Sequence, residues 1–297
     1  MNPTPCAIQI RGLEKRFSKF HLGPLDLTVP RGSIYAFIGP NGAGKTTTLD
    51  LLLQMGSIDA GRITVCGYDA QTQEVEVKRR LGYVSPDLSF MAWKRVDLAL
   101  KFVQGFYPTW DEAYANRLLE SFQLRRDARV AQLSFGERIK LSMTAALAHR
   151  PEILLLDEPT TGLDAVSKRQ VFAELLAAVR DGERTVLISS HSLTDLERFA
   201  DHVGMIRKGR LLLEGAMDEV VGRFALVDID WSTAPRSSGP AGYYLQRTDS
   251  NRARALVDLS TQAMEWVQKS GGQERSRTAV TLEEIFVALA QTEAALN

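Results

Sequence analysis

The chain has 297 residues, enough for one large domain or two unequal ones. Its hydrophobic content of 44% and charged content of 24% are those of an ordinary soluble globular protein. Lys plus Arg equal Asp plus Glu at 36 each, and a formal net charge of zero excludes the protein-wide basic field that holds nucleic acid.

The first ten residues, Met1 to Ile10, lack the charged-then-apolar pattern of a signal peptide. Cys6 and Cys66 are the only cysteines, with no C-x-x-C spacing, so a reducing compartment is expected and no disulfide framework. From Ala7 to Pro30, short alternating runs broken by Gly12, Gly23-Pro24 and Pro30-Arg31-Gly32 predict antiparallel strands and turns. Ile34 to Ile38 is a continuous apolar run, as expected inside a parallel sheet.

That strand leads into Gly39-Pro40-Asn41-Gly42-Ala43-Gly44-Lys45-Thr46, which matches G-x-x-x-x-G-K-[ST] at every defined position. Thr47 to Leu53 reads as the helix leading out. The glycines let backbone N–H groups converge on an anion, and the helix start adds a positive dipole end. Gly39 to Thr46, with Thr47, is therefore the predicted phosphate-binding segment. Lys45 can reach the β- and γ-phosphates and Thr46 can ligate Mg²⁺.

Arg62 to Gly67 predicts another strand after the turn at Asp59-Ala60-Gly61. From Pro86 to Ala148 the pattern is helical. Thr109-Trp110-Asp111-Glu112 reads as a capping box opening a helix through Leu119 and Phe122, and a second helix runs from about Glu137 to His149, stopped by Pro151. Within Leu133-Ser134-Phe135-Gly136-Glu137, Ser134 and Glu137 form a capping box that needs no function. A serine-capped helix start is also an anion site. Both readings stand at this point.

Ile153 to Leu156 is a buried strand ending in Asp157 and Glu158, and ligands of open α/β sheets bind at such strand ends. Asp157 is placed to hold Mg²⁺. Glu158 can polarise an attacking water, help that typically contributes ~10²–10⁴-fold in rate. Alone, the pair could be solvated acids after a strand; the phosphate loop weighs against that. Val166 to Val179 is amphipathic, with Val171, Leu175 and Val179 on one face, ending at Asp181-Gly182. The strand Thr185 to Ile188 leads to Ser189-Ser190-His191. An imidazole there can hydrogen-bond a γ-phosphate or the attacking water; His21, His149 and His202 read as structural. A short helix, Thr194 to Ala200, precedes strands Val203–Ile206 and Arg210–Leu213. After Gly222 the character shifts. Phe224 to Trp231 is a strand, Ser232 to Gly242 a loop, and Thr281-Leu282-Glu283-Glu284 a capping box before an apolar stripe of Leu282, Ile285, Phe286 and Leu289. No apolar stretch approaches the ~20 residues that span a bilayer.

In this order the motifs resemble the ATP-binding subunits of ABC transporters, over roughly residues 7–215. Gly39–Thr46 resembles Walker A, Leu133–Glu137 the signature, Ile153–Glu158 Walker B, Pro159–Asp164 the D-loop and His191 the switch histidine. The resemblance implies an α/β P-loop NTPase core of RecA-like type, with an antiparallel β subdomain and a helical signature subdomain at about 87–149. Together these make a domain over 1–221, followed by a small accessory domain over 222–297. It implies ATP and Mg²⁺ as cofactors and a homodimer or heterodimer of nucleotide-binding domains, in which Ser134 and Gly136 touch the γ-phosphate held by the other subunit. Catalytic roles fall to Lys45, Glu158 and His191. Phe17 sits where the family places an aromatic on adenine; a core phenylalanine is the equal alternative, and Phe20 competes for the role.

Two departures stand out. Phe135 replaces a common glycine. In Gly82-Tyr83-Val84-Ser85-Pro86-Asp87, Pro86 stands where a glutamine that senses Mg²⁺ is usual, and proline has neither side-chain donor nor N–H. Asp87 is then the substitute metal candidate, through a water, beside Thr46 and Asp157. The implied partner is an integral membrane permease near Asp87–Gly105, placing the chain at the cytoplasmic face of the membrane, with no nucleic acid. The tail resembles those of bacterial export or drug-resistance subunits. The competing reading is a soluble ABC ATPase acting on nucleic acid or ribosomes, which usually carries two cassettes or a long coiled-coil insertion. A regulator with little turnover is disfavoured by the Asp157-Glu158 pair, and a GTPase by the lack of Asn-Lys-x-Asp.

Overall fold

A computed structural model describes residues 6–88, 90–180, 182, 184–231, 239–249 and 251–295. Strands β1 (Cys6–Arg16) and β2 (His21–Pro30) pair antiparallel, and from Leu25 to Val29 burial alternates as the two-residue strand period demands. Gly12 does not break β1. It lies at a register shift between Ile10 and Leu13 with φ 56°, and its N–H donates to Asp26 Oδ1 at 2.8 Å, so the expected turn is a bulge. Gly23-Pro24 likewise lies inside β2: a Cβ at Gly23 would stand 1.9 Å from the Leu13 carbonyl oxygen, so glycine here serves close strand approach. Strand β3 (Ile34–Ile38) leaves for a second sheet, while β4 (Ala60–Val65) and β5 (Tyr68–Asp69) complete a sheet of order β2-β1-β4-β5.

Helix α1 (Lys45–Leu52) follows β3, and α2 (Glu74–Arg80) precedes β6 (Leu81–Val84). Three helices come next: α3 (Val96–Gln104), α4 (Glu112–Ser121) and α5 (Phe135–Ala148). The cap of α4 differs from expectation. Asp111, not Thr109, is the N-cap, accepting from the Tyr114 N–H at 2.8 Å, because the Thr109 hydroxyl donates to the His149 carbonyl at 2.7 Å. The Ser134–Glu137 capping box forms in full.

The chain then alternates strand and helix: β7 (Ile153–Asp157), α6 (Ala165–Val179), β8 (Thr185–Ser190), α7 (Leu193–Leu196), β9 (His202–Arg207) and β10 (Arg210–Ala216). Helix α7 is shorter than the expected Thr194–Ala200; Phe199 instead stacks on Phe172 of α6 at 4.6 Å. The second sheet runs β10-β9-β3-β8-β7-β6 and is parallel from β9 to β6. Strands β3, β7 and β8 are buried at every position, which is why they read as unbroken apolar runs. Their register pairs Ile38 with Ser190 and Asp157 with Ser189, so all three end at one edge of the sheet. The loops that follow them emerge side by side, where α/β sheets bind ligands.

Two compact units result. One runs to His191 and includes Phe199–Leu213; the other comprises Ser192–Arg198 and the chain from Glu214. The second unit holds α8 (Met217–Arg223), β11 (Phe224–Trp231), β12 (Tyr243–Asp249), β13 (Arg252–Asp258), α9 (Ala263–Lys269), β14 (Gly272–Thr278) and α10 (Leu282–Ala295). Its sheet, β12-β13-β11-β14, is antiparallel, and Val227, Ile229, Trp231, Val257 and Val267 share one core. Of the expected loop, 232–238 lie outside the described residues, and Pro240 to Tyr243 turn into β12. Thr281 and Glu284 cap α10 reciprocally at 2.9 and 3.3 Å, and Leu282, Ile285 and Ala288 form its buried stripe. Among the described residues no helix is long and apolar enough to cross a membrane.

Candidate functional site

The loop after β3 has the backbone an anion requires. Gly42 and Gly44 take φ 75° and 114°, which favour glycine, and a Cβ at Gly39 would stand 2.2 Å from the Ile206 carbonyl oxygen. Gly44 caps α1 with no side chain bonded to the helix end, so the first-turn N–H groups face outward for an anion. The loop borders a cavity of about 430 Å³ lined by Pro40 to Thr47 with Lys19, Phe20 and Glu158.

Lys45 is only 6% exposed. Its Nζ donates to the carbonyls of Gly39 at 2.7 Å and Pro40 at 3.3 Å, and lies 3.1 Å from Glu158 Oε1. Thr46 Oγ1 donates to Asp157 Oδ2 at 2.8 Å, and Ser189 Oγ donates to Asp157 Oδ1 at 2.5 Å. Asp157 is buried, and every oxygen of its carboxylate has a donor. Glu158 adopts φ 48°, a left-handed conformation uncommon for a non-glycine residue. Its N–H donates to the Ser189 carbonyl at 3.2 Å and to Ser189 Oγ at 3.0 Å. Its Oε2 accepts from Thr161 Oγ1 at 3.0 Å and lies 2.8 Å from His191 Nδ1. Lys45, Thr46, Asp157, Glu158 and His191 are thus joined in one network.

The hydroxyl of Thr46 and the carboxylate of Asp157 are oxygen donors suited to a hard divalent cation such as Mg²⁺, which keeps several waters and binds through one or two carboxylates plus phosphates. Among the described residues no cluster of three His, Cys, Asp or Glu could cage a metal by itself. The surroundings are acidic. Burial, then the charge of Asp157, pushes the Asp50 carboxyl up. Burial raises Tyr83 against the lowering effect of its bond to Ser85, with Asp157, Asp50 and Asp87 adding to the rise.

Four expected residues sit apart from this network. Asp87 is exposed, its N–H bonded to Ser85 Oγ at 3.2 Å, and no hydrogen bond links it to Thr46 or Asp157. Ser134 and Gly136 do not line the phosphate cavity. Ser134 accepts from the Glu137 N–H at 3.2 Å and gives its own N–H to Glu137 Oε2 at 2.8 Å, bonds that hold the Glu137 carboxyl below the usual carboxylate range. Phe17 is 51% exposed and outside the cavity wall; Phe20 is in the wall, with Phe17 stacked beside it at 6.3 Å. Sequence reasoning passed over Ser189 and Thr161. A hydroxyl closing the apolar run of β8 was the available signal for Ser189; for Thr161 it was a place in the segment Pro159–Asp164.

A second cavity of about 450 Å³ lies in the same unit, walled by Leu53, Tyr83, Trp93, Phe102, Tyr107 and His149 among others. It is apolar, and its rim carries exposed Met55, Leu88 and Phe102.

The sequence profile of the ABC transporter family matches residues 22–161. The Nod factor export ATP-binding protein I of Burkholderia lata is 37% identical over 220 residues, covering 70% of each chain. The daunorubicin/doxorubicin resistance ATP-binding protein of Streptomyces peucetius is 32% identical and covers 97% of this chain and 94% of its own. Among solved structures, an ATP-binding subunit of an ABC transporter superposes with a TM-score of 0.67 at 24% identity, covering 72% of this chain and 91% of that one.

Proposed function

This chain belongs to the ABC transporter family as an ATP-binding subunit, and from that premise we propose that it hydrolyses ATP as one half of a dimer and thereby powers a separate membrane permease that exports its substrate. One observation carries the dimer: the phosphate loop and Glu158 line a cavity that Ser134 and Gly136 do not reach, with buried Asp157 bonded to Thr46 of its wall. A second subunit's Ser134–Gly136 helix start would complete that site, supplying N–H donors and a positive dipole end to the γ-phosphate.

In this reading Lys45 leaves Glu158 and its own loop carbonyls to hold the β- and γ-phosphates. Glu158 then accepts a proton from the attacking water, with its carboxylate steadied by Thr161 and His191. Water oxygen bonds to the γ-phosphorus, the bond from that phosphorus to the bridging oxygen breaks, and ADP and phosphate leave. Thr46 and Asp157 would hold Mg²⁺, which when bound neutralises phosphate charge. Loss of the γ-phosphate removes the bridge between subunits, and the pair reopens. Phe20, with Phe17 behind it, is the aromatic wall available to adenine.

Relatives named for Nod factor export and for daunorubicin/doxorubicin resistance support export over action on nucleic acid or ribosomes. The apolar cavity beside Leu88 and Trp93 suits a segment of the permease, which would hold the chain at the cytoplasmic face of the membrane. The test is Glu158→Gln. ATP binding should persist, turnover should fall about 10²-fold or more, and gel filtration in ATP and Mg²⁺ should show a dimer. Wild-type turnover would remove Glu158 from the mechanism, and a monomer would remove the shared site. Detergent extraction should bring down an integral membrane protein; ribosomes or DNA in its place would favour the other reading.

A further inference from the structure

Two glycines in the first unit mark a narrow seam between the start of α5 and the turn before α6. A Cβ built on Gly136 would lie 3.3 Å from Leu163 Cδ2, and one built on Gly162 would lie 3.3 and 3.5 Å from Phe135 Cε1 and Cδ1. Phe135 and Gly136 thus grip Gly162 and Leu163 reciprocally: ring against backbone on one side, backbone against leucine on the other. Leu163 is buried, and Gly162 takes φ 74°.

This turn carries Thr161. Its N–H donates to the Glu158 carbonyl at 3.2 Å, and the Leu163 N–H donates to the Thr160 carbonyl at 3.3 Å. Its hydroxyl donates to Glu158 Oε2 at 3.0 Å. Beyond the turn, Asp164 caps α6 by accepting from the N–H groups of Val166 and Ser167, each at 2.9 Å. The helix end is fixed, so the shape of 159–163 decides where the Thr161 hydroxyl points. Glu158 meanwhile holds a left-handed backbone, which persists only where its surroundings over-determine it.

We propose that Phe135 is a positioning residue for the hydrolytic carboxylate: its ring, seated on Gly162, keeps the turn in the shape that holds Thr161 Oγ1 on Glu158 Oε2. The role rests on the reading of Glu158 as the hydrolytic group. A glycine at 135 has no atoms to make this contact. Because Ser134 and Gly136 flank Phe135, a phosphate taken up at that helix start would be felt, through the seam, at Glu158 of the same subunit.

The experiment compares Phe135→Gly, Phe135→Leu, Thr161→Val and the Phe135→Gly, Thr161→Val double variant in the 297-residue chain. Turnover is read beside the ¹³C-methyl resonance of Thr161 in nucleotide-free protein. Phe135→Gly should lower kcat about tenfold with KM within about twofold, since a small misplacement of a reacting group costs rate rather than binding. Phe135→Leu should restore kcat to within about twofold, because a branched apolar side chain can still cover Gly162. The double variant should fall no further than Thr161→Val alone, as expected of residues acting through one contact. The Thr161 methyl resonance should move in Phe135→Gly and return in Phe135→Leu. Wild-type kcat in Phe135→Gly, a raised KM at unchanged kcat, failure of leucine to rescue, or an unmoved Thr161 resonance would each overturn the proposal. If the wild-type chain turned over no ATP, the functional reading would fall, while the methyl resonance would still decide whether Phe135 sets Thr161.

Discussion

Replacing Ser189 by alanine should loosen both acidic residues at once. Ser189 is fully buried; its Oγ donates to Asp157 Oδ1 at 2.5 Å and accepts from the Glu158 N–H at 3.0 Å. Alanine removes one oxygen and leaves almost no cavity, so the loss is polar. A bond to a charged group is worth about 1.5–3 kcal/mol and a neutral one about 0.5–1.5 kcal/mol. The Glu158 N–H keeps a second acceptor, the Ser189 carbonyl at 3.2 Å, which puts the neutral loss at the low end. Asp157 is 4% exposed, so water has little access to the abandoned oxygen. The sum is a destabilisation of about 2–3 kcal/mol, read from denaturant midpoints. Thr48→Ala is the comparison: its hydroxyl, also buried, gives one neutral bond to the Gly44 carbonyl at 2.8 Å, and its loss should cost about 1 kcal/mol. Calorimetry should add a functional signature. ATP affinity in Mg²⁺ should weaken about tenfold, equivalent to about 1.4 kcal/mol, and affinity in EDTA should not change. A Ser189→Ala chain as stable as wild type, or one whose ATP affinity falls equally with and without Mg²⁺, would refute the reasoning.

Two further outcomes are expected. Lys45→Ala should weaken ATP binding by about 100-fold or more, since several charge-assisted bonds to phosphate are lost at once; calorimetric affinity equal to wild type would contradict its role. His149 should impose a pH dependence on stability. Burial pushes its imidazole from 6.5 down to about 4, and Nδ1 has no hydrogen-bond partner among the described residues. Between those values the unfolded chain binds the extra proton, so stability is full above 6.5 and falls as pH drops toward about 4. At about 1.36 kcal/mol per pH unit the loss integrates to about 3 kcal/mol. His149→Phe keeps a ring for the stack on Tyr107, at 3.8 Å in the wild type, and should flatten that slope in midpoints measured from pH 7 to 4; an unchanged slope would assign it elsewhere.

The phosphate loop was legible because glycine spacing is a backbone requirement written residue by residue. The apolar runs of β3, β7 and β8 were legible because strands buried on both faces admit little else. The Ser134 and Thr281 caps were read correctly for the same reason: a cap is a contact between residues three apart. Thr109 misled because its hydroxyl had a competitor 40 positions away, the His149 carbonyl. Gly12 and Gly23 misled because glycine serves bulges and close strand approach as well as turns, and only the neighbouring strand tells which. In the second unit, β12, β13, α9 and β14 were not foreseen individually; β13 is buried over its last four residues and β14 exposed after its first, so neither alternates along its length.

By itself the sequence determined which local geometries were possible: a glycine loop open to an anion, acids at a strand end, serine and threonine at helix starts. These follow from backbone sterics and short-range hydrogen bonding. The tertiary structure alone decided which groups meet. Parallel register set Ser189 beside Asp157 and Glu158, and packing between α5 and the turn before α6 laid Phe135 on Gly162. Such pairings depend on side chains brought together by the burial of a common core, and no spacing along the chain encodes them.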